Sequence, residues 1–265
     1  MKYHAPSPRL QQDRAAPRGR RDCLRLLLAT AALPLAGCDQ AFGTVAQAGS
    51  CPAMPEATAG PFPADGSNRG PRGVVNALGR KGIVRSDIRR SIGAAAPLPG
   101  VRLMLTLQVV DVNDGCKPRR GAAVYVWHCD RQGRYSLYAQ GLEDQTWLRG
   151  LQGTDDNGMV TFTTIFPGCY PGRVPHVHVE VFAGVGDALE GRRRIKTSQF
   201  AFPLGAVNEA YKDPGYALSA ANLAGQSLER DMVFRDGSAG SQIATIDGGL
   251  VQGFAARLTL GVSGA

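Results

Sequence analysis

Apolar residues in the second half of the chain fall into short runs that are separated by turn residues. The runs are rich in Val, Phe, Thr and Tyr, which indicates strands rather than helices. The links between them carry Asn-Asp-Gly, Asp-Asn-Gly and Pro-Gly, sequences that favour turns. The predicted strands are 101–112, 122–129, 159–165, 176–182, 197–202 and 258–262.

These strands define the expected fold class. Short strands at this spacing predict an all-β domain, a β-sandwich of two mainly antiparallel sheets with long loops and an extended N-terminal arm. Residues 38–95 are rich in Ala, Gly, Pro and Ser, so we expect a tether followed by an arm that wraps the core. The sandwich domain is then 96–265. The sequence contains no internal repeat and no glycine pattern of a Rossmann or P-loop fold.

Composition narrows the class of protein further. The 34 glycines and 17 prolines among 265 residues argue against a long helical bundle. A hydrophobic content of 43% with 20% charged residues is typical of a globular domain, not of a disordered chain or a polytopic membrane protein. Residues 1–37 contribute +5 of the net charge of +8. Because the rest of the chain is close to neutral, we predict no nucleic-acid partner.

The N-terminal residues 1–37 resemble a targeting segment. Two arginines at 20–21 precede an apolar stretch at 26–36, which is too short to span a bilayer, and the sequence LAGC closes it at 35–38. This order is similar to a twin-arginine export signal that ends in a lipobox, and it implies that Cys38 carries a lipid. We therefore expect an exported lipoprotein, anchored to a membrane and facing the periplasm or the exterior. A buried N-terminal helix is the alternative.

Export changes the interpretation of the cysteines. Cys51, Cys116, Cys129 and Cys169 would lie in an oxidising compartment, and we expect them to form two disulfides. The sequence leaves the three pairings open. A zinc site built from four thiolates is a competing interpretation, but the sequence has no CxxC pair. Free or mixed thiols are the other alternative.

Candidate chemistry depends on few histidines, since His4 belongs to the predicted signal. In PHVHVEV at 175–181, His176 and His178 are two residues apart in a predicted strand. Both imidazoles then leave the same face, about 6.6 Å apart along the backbone, where they can meet one metal ion. A cross-strand or surface pair is the ordinary alternative for an isolated HxH.

The sequence around these histidines carries several further motifs in a fixed order. They are WHCD at 127–130, GRYS at 133–136, TDDNG at 154–158 and TIFPGCYPGRVPHVH at 164–178, with TAGPF at 58–62 upstream. Together they resemble the intradiol ring-cleavage dioxygenases, the family of protocatechuate 3,4-dioxygenase and catechol 1,2-dioxygenase. The resemblance covers about residues 100–205.

The resemblance implies a non-haem Fe(III) centre held by two tyrosines and two histidines. Carried over by motif, the ligands are Tyr135, Tyr170, His176 and His178. Phenolate is a hard anionic donor that favours Fe(III), so this ligand set is chemically consistent. His128 also matches the family motif, but we leave it outside the ligand set because a lone histidine beside a strand end is more often structural.

The resemblance also implies residues that contact the substrate. Arg173 resembles an arginine that stabilises negative charge on the substrate ring, and Gln199 resembles a glutamine near the substrate. Trp127 corresponds to an aromatic residue of the pocket wall, with core packing as the ordinary alternative. Tyr170 has a catalytic role in this scheme, because it leaves the metal and takes a proton when the catechol binds.

The implied activity uses O2 to cleave a catechol-type ring between its two hydroxyl-bearing carbons, giving a muconate-type product. The rival hypothesis is a non-catalytic β-sandwich module, tethered to a membrane, that binds a metal or small ligand through His128, His176 and His178. The sequence does not name the catechol, and it leaves the oligomeric state open, a homo-oligomer included. The helical dimerisation region of the catechol 1,2-dioxygenase branch is not indicated anywhere in 39–95.

Overall fold

The computed structural model describes residues 51–236 and 238–264. The predicted signal at 1–37, the predicted lipid site Cys38 and the first part of the tether lie outside the described residues. Within the described ranges, no helix is both long and apolar enough to cross a membrane.

The described chain is built mainly from strands, with three short α-helices after the eighth strand. The strands are β1 (Asp65–Gly70), β2 (Gly73–Asn76), β3 (Arg102–Asp111), β4 (Lys117–Pro118), β5 (Ala123–Trp127), β6 (Arg149–Gly153), β7 (Met159–Ile165), β8 (His176–Phe182), β9 (Arg194–Ala201), β10 (Thr245–Gly249) and β11 (Gly253–Val262). The helices are α1 (Val185–Leu189), α2 (Leu204–Ala210) and α3 (Ala217–Leu223), with 3₁₀ turns at Pro214–Tyr216 and Ser238–Ser241.

Two larger sheets form the sandwich. The first has the order β10-β11-β3-β4, and β7 also pairs with β3. The second has the order β6-β5-β8-β9, and all of its pairs are antiparallel. In the first sheet β11 runs parallel to β3, with Phe254 opposite Leu103. The predicted fold of two mainly antiparallel sheets is therefore confirmed.

The main hydrophobic core lies between the two sheets. Alternate residues of β3 point into it because side chains alternate across a strand, and Val124, Val126, Val177 and Val179 of the second sheet belong to the same core. The buried residues of β3 in this core are Leu103, Leu105, Leu107 and Val109. His176 and His178, which alternate with these valines along β8, therefore face the opposite side of the sheet.

That outer face of the second sheet is also buried. Tyr125 and Trp127 of β5 pack there in a second cluster with Val75, Leu78 and Ile83 from the segment before β3. The Tyr125 hydroxyl donates a hydrogen bond to the Pro63 carbonyl at 2.9 Å, which ties this segment to β5. The strands β5 and β8 are thus covered on both faces, and the histidines of β8 lie beneath the covering segment.

The predicted strands agree with the structure most closely where hydrophobic alternation is strongest. The predictions at 159–165 and 176–182 match β7 and β8, and those at 101–112 and 122–129 run one or two residues past the ends of β3 and β5. The sequence did not predict β6 or β10, and it did not predict the hairpin of β1 and β2. Residues 51–95 are consequently more than an extended arm, because they contribute both a hairpin and buried side chains.

The predicted pair of disulfides is wrong. Cys51 and Cys116 form one disulfide, while Cys129 and Cys169 are buried free thiols. Each of these thiols donates to a different backbone carbonyl, Cys129 to Gly168 at 3.2 Å and Cys169 to Ser219 at 3.0 Å. Each buried S–H group therefore has a hydrogen-bond acceptor, and the two cysteines do not form a second disulfide.

Candidate metal centre

Four side chains from three parts of the chain converge on the outer face of the second sheet. His176 and His178 come from β8, Tyr135 from the turn after β5, and Tyr170 from the turn after β7. The Nε2 atom of His176 lies 3.4 Å from the Tyr135 Oη, 3.4 Å from the Tyr170 Oη and 3.2 Å from the Nε2 of His178. One imidazole nitrogen therefore stands within hydrogen-bond distance of the three other donor atoms.

These separations fit the requirements of a single metal ion. Two atoms that bind one ion at about 2.1 Å each lie about 3.0 to 3.4 Å apart when their bonds make an angle of about 90 to 110°. The three distances from His176 Nε2 fall in this range. Two phenol oxygens and two imidazole nitrogens are also a donor set that suits a hard trivalent iron. The residues present thus fit the cofactor that the sequence implies.

The surroundings favour the neutral form of both imidazoles, and the His176 ring presents a lone pair to the centre. The Nδ1 of His176 donates to the Val174 carbonyl at 2.7 Å, which leaves its Nε2 without a proton. Burial lowers the pKa of both histidines, and the Arg173 guanidinium lowers it further. Trp127 stacks on the ring of His178 with centroids 4.8 Å apart.

The two phenols need a cation nearby in order to ionise. Burial raises the pKa of Tyr135 well above its ordinary value, and burial also raises the pKa of Tyr170, although the adjacent Arg173 opposes that shift. A bound metal ion reverses this preference, because it is the largest local charge at its site. Tyr135 is fully buried whereas Tyr170 is half-buried, so Tyr170 is the more accessible of the two phenols.

Arg173 lies at the edge of this cluster and connects it to the predicted glutamine. Its Nη1 donates to the Tyr170 Oη at 3.1 Å, and its Nη2 donates to the Gln199 Oε1 at 2.7 Å. The Gln199 Nε2 in turn donates to the Thr58 carbonyl at 2.8 Å. The guanidinium is therefore held beside the donor atoms by Gln199 of β9, which is itself bound to residue 58 of the segment that precedes β1.

The TAGPF segment at 58–62 covers the histidines. Gly60 has a φ of +70°, and a Cβ at this position would lie 3.1 Å from the His178 Cε1. Only glycine allows the backbone this close to the imidazole without strain. Phe62 packs on Tyr135 with ring centroids 4.7 Å apart. The segment thereby shields one side of the donor cluster from water.

The turns that carry the two tyrosines pack directly on each other. A Cβ at Gly133, where φ is +82°, would lie 2.7 Å from the Cys169 carbonyl oxygen. Ser219 of α3 joins the turns, because its hydroxyl donates to the Arg131 carbonyl at 2.8 Å and accepts from the Cys169 amide at 3.0 Å. The relative position of the two phenols depends on these backbone contacts.

Sequence reasoning missed three buried residues that support the cluster. The first is Ser219, and the second is Asp231, which forms an ion pair with Arg173 at 2.9 Å. The third is Arg149, which donates to the Ser136 carbonyl at 3.1 Å and to the Pro63 carbonyl at 3.0 Å. No motif marks these positions, because each acts through a contact with a residue distant in sequence.

His128 does not join the other histidines. Its Nδ1 donates to the Cys129 carbonyl at 2.8 Å, and its Nε2 accepts from the Thr164 hydroxyl at 2.7 Å, so both ring nitrogens are used. Burial lowers the pKa of His128 to about 4. Among the described residues, no group of three or more His, Cys, Asp or Glu side chains is placed to hold a metal. The three-histidine site of the rival hypothesis is therefore not formed.

The fold and this cluster define a β-sandwich protein similar to the intradiol ring-cleavage dioxygenases. Comparison with family models agrees, since residues 82–189 match the family described as Dioxygenase (Dioxygenase_C). The intradiol ring-cleavage dioxygenase of Tetranychus urticae superposes with a TM-score of 0.61 at 28% identity, over 80% of this chain and 95% of that one. The resemblance predicted from the sequence is confirmed.

Two further comparisons are more limited. The dioxygenase domain of a dioxygenase and carbohydrate-binding protein fusion from Streptomyces sp. SirexAA-E has a TM-score of 0.50 at 22% identity, over 81% of this chain and 100% of that one, which supports the fold. A chlorocatechol 1,2-dioxygenase of Rhodococcus opacus is 36% identical over 69 residues. The match spans about a quarter of that curated relative, 26% of its length.

Proposed function

We propose that this protein is a non-haem Fe(III) dioxygenase that cleaves a catechol-type ring between its two hydroxyl-bearing carbons and inserts both atoms of O2. The metal ligands are Tyr135, Tyr170, His176 and His178. The observation that carries the proposal is the spacing of 3.2 to 3.4 Å between His176 Nε2 and the three other donor atoms. The family of the matching relatives supports the same class of reaction.

The chain's own residues would bind and orient the catechol. Bound Fe(III) would supply a Lewis acid that favours loss of a proton from the catechol hydroxyls. Tyr170 is the half-buried phenol, and its oxygen would accept a proton from the catechol. Arg173 donates to the Tyr170 oxygen at 3.1 Å, so its charge stabilises the negative charge that the phenol and the bound ring share.

Three further residues would shape the space around the ring. Gln199 holds Arg173 from β9, and Trp127 fixes the plane of the His178 imidazole. Phe62 covers Tyr135 from the other side. These contacts exclude water and fix the donor atoms before substrate arrives, which is how preorganised sites lower an activation barrier.

One experiment tests the proposal directly. The purified protein is analysed for iron and by visible spectroscopy, and is then given catechol under ¹⁸O2. We expect about one iron per chain, a broad phenolate charge-transfer band, and a ring-opened diacid that carries two ¹⁸O atoms. An iron-loaded, coloured protein that leaves catechol and substituted catechols unchanged contradicts the proposed reaction. A colourless protein without iron contradicts the proposed centre.

We further propose that the chain is an exported lipoprotein with its anchor at Cys38. The proposal rests on the sequence order of twin arginine, short apolar stretch and LAGC. Metabolic labelling with a fatty acid tests it: label on the wild-type chain that disappears in Cys38→Ser supports the anchor. Label that persists in Cys38→Ser contradicts it.

A further inference from the structure

Asp231 is a fully buried carboxylate that contacts Arg173 from a part of the chain outside all the recognised motifs. It lies eight residues after the end of α3, outside the residues 82–189 that match the family model. One carboxylate oxygen accepts from the Arg173 Nε and from the Val174 amide, both at 2.9 Å. The other oxygen accepts from the Val233 amide at 2.9 Å. The carboxylate therefore has a fixed place in the fold.

We propose that Asp231 is a positioning residue, which sets the direction of the Arg173 guanidinium toward the reacting centre. The inference rests on the proposed function for the identity of that centre. A guanidinium is planar, so two fixed corners determine the direction of the third. Asp231 holds Nε and Gln199 holds Nη2, which leaves Nη1 directed at the Tyr170 Oη, 3.1 Å away, and at the His176 Nε2, 3.3 Å away.

Asp231 also fixes the backbone that leads into the first histidine. The amide of Val174 binds the same carboxylate oxygen as Arg173, and the carbonyl of Val174 accepts from the His176 Nδ1 at 2.7 Å. The Phe234 ring, three residues after Asp231, lies beneath the guanidinium with 6.0 Å between the ring centroid and Cζ. One carboxylate thus fixes both the side chain of Arg173 and the backbone that leads to His176.

Stability alone does not explain a buried ion pair of this kind. Removing two charges from water costs about as much as their attraction returns, and replacing such a pair with apolar residues is often neutral or stabilising. Both side chains are nearly inaccessible to solvent, at 8% exposed for Arg173 and 0% for Asp231. A pair kept at this cost beside the donor cluster is consistent with a role in orientation.

The test is a double-mutant cycle with Asp231→Asn, Arg173→Gln and the double variant, each purified as the full chain. If Asp231 acts through Arg173, Asp231→Asn lowers kcat with catechol by about 10- to 100-fold, which is the cost of about 1 Å of misplacement. Iron content stays at the wild-type level. The second substitution then adds nothing to Arg173→Gln.

Two further variants separate positioning from general stability. Asp231→Glu keeps the charge and moves it by one methylene, so kcat falls while the ion pair and iron remain; it also serves if Asp231→Asn does not fold. Asp87→Asn removes another carboxylate paired with arginines, Arg89 and Arg90, away from the centre, and it leaves kcat unchanged. Equal losses from Asp231→Asn in both backgrounds of the cycle would overturn the proposal.

A crystal structure of Asp231→Asn or Asp231→Glu decides the question without reference to activity. We expect the guanidinium Nη1 to leave hydrogen-bond distance of the Tyr170 Oη. If it stays beside Tyr170 and Gln199, Asp231 does not position it. A wild-type protein that lacks colour and turnover defeats the proposed function, and in that case the crystal comparison still accepts or rejects the role of Asp231.

Discussion

Trp127 stacks on His178 with the two ring planes only 7° apart. The two residues are direct cross-strand partners on β5 and β8. Metal-binding histidines usually have their second nitrogen fixed by a hydrogen bond, but the Nδ1 of His178 is buried and has no partner among the residues that the structure describes. Stacking on the indole therefore fixes the plane of this imidazole in place of a hydrogen bond.

Replacing Trp127 should increase the rate at which iron is lost from the protein. Trp127→Leu removes the flat surface and frees the His178 ring, so we expect iron to be lost to a chelator at least about tenfold faster, as for other losses of support around a metal ligand. Trp127→Phe keeps an aromatic face, so its rate of iron loss should lie between those of the wild type and Trp127→Leu. The rate of iron loss to EDTA, followed by the visible band, measures this.

The control is Phe202→Leu, which truncates a buried aromatic in the core between the sheets. It should lower the unfolding temperature without changing the rate of iron loss. If both variants lose iron equally fast, the stacking has no specific role.

The two tyrosines should differ when each is changed to phenylalanine. Tyr135 is fully buried, so no water can replace its phenolate, and Tyr135→Phe should lose most of the iron. Tyr170 is half-buried, so Tyr170→Phe should keep iron with a weaker band at shifted wavelength. Iron per chain and the visible spectrum are the measurements. The control is Tyr125→Phe, at a buried tyrosine outside the donor cluster, which should change neither the iron content nor the spectrum. Equal iron contents in the Tyr135 and Tyr170 variants would contradict the different roles given to the two phenols.

Ser219→Ala should separate the turns that carry the two phenols. The substitution removes the buried hydroxyl that bridges the Arg131 carbonyl and the Cys169 amide, at a cost of about 1 to 3 kcal/mol in the free energy of unfolding. We expect a displaced charge-transfer band as well, because the phenol positions change. Urea unfolding and visible spectroscopy test the two effects. Thr154→Val removes a similar buried hydroxyl bond to the Arg119 carbonyl and should shift stability alone.

Glu180 should make the free energy of unfolding depend on pH. Burial, with the nearby Asp65 carboxylate, raises the pKa of Glu180 from 4.5 to about 7, although Arg194 opposes the shift. Folding thus favours the protonated acid, and the stability that this proton gives is complete below about pH 4.5 and is lost as the pH rises to about 7. The loss is at most about 3 kcal/mol.

Glu180→Gln removes this dependence. The variant should therefore gain stability relative to wild type between pH 5 and pH 8, as measured by urea unfolding at several pH values. Curves that stay parallel across this range would show that the Glu180 carboxyl keeps an ordinary pKa.

The cysteines should divide into one bridge and two thiols. In denaturant without reductant, peptides that contain Cys129 and Cys169 should be alkylated and those with Cys51 and Cys116 should not. Cys116→Ala opens a loop with a sequence separation of 65 and should cost about 4 kcal/mol on the chain-entropy account. Peptide mass spectrometry and urea unfolding provide the measurements. Alkylation of none of the four positions would instead restore the second bridge.

The sequence predicted the parts of this protein that depend on local pattern. Strict alternation in β8 placed both histidines on one face, and the motifs around Tyr135 and Tyr170 named the other two donors. The strand β6 was missed because RGLQG has no apolar alternation. Ser219 and Asp231 were missed because their partners lie 50 and 58 residues away, and no local signal reports such a contact.

The parallel pairing of β3 with β11 has a consequence for synthesis. Leu103 of β3 pairs with Phe254 of β11, which leaves the ribosome on the order of 10 s after Leu103 at usual rates of elongation. The central strand of the first sheet thus has an unpaired edge during most of translation, a surface prone to aggregation unless a chaperone covers it.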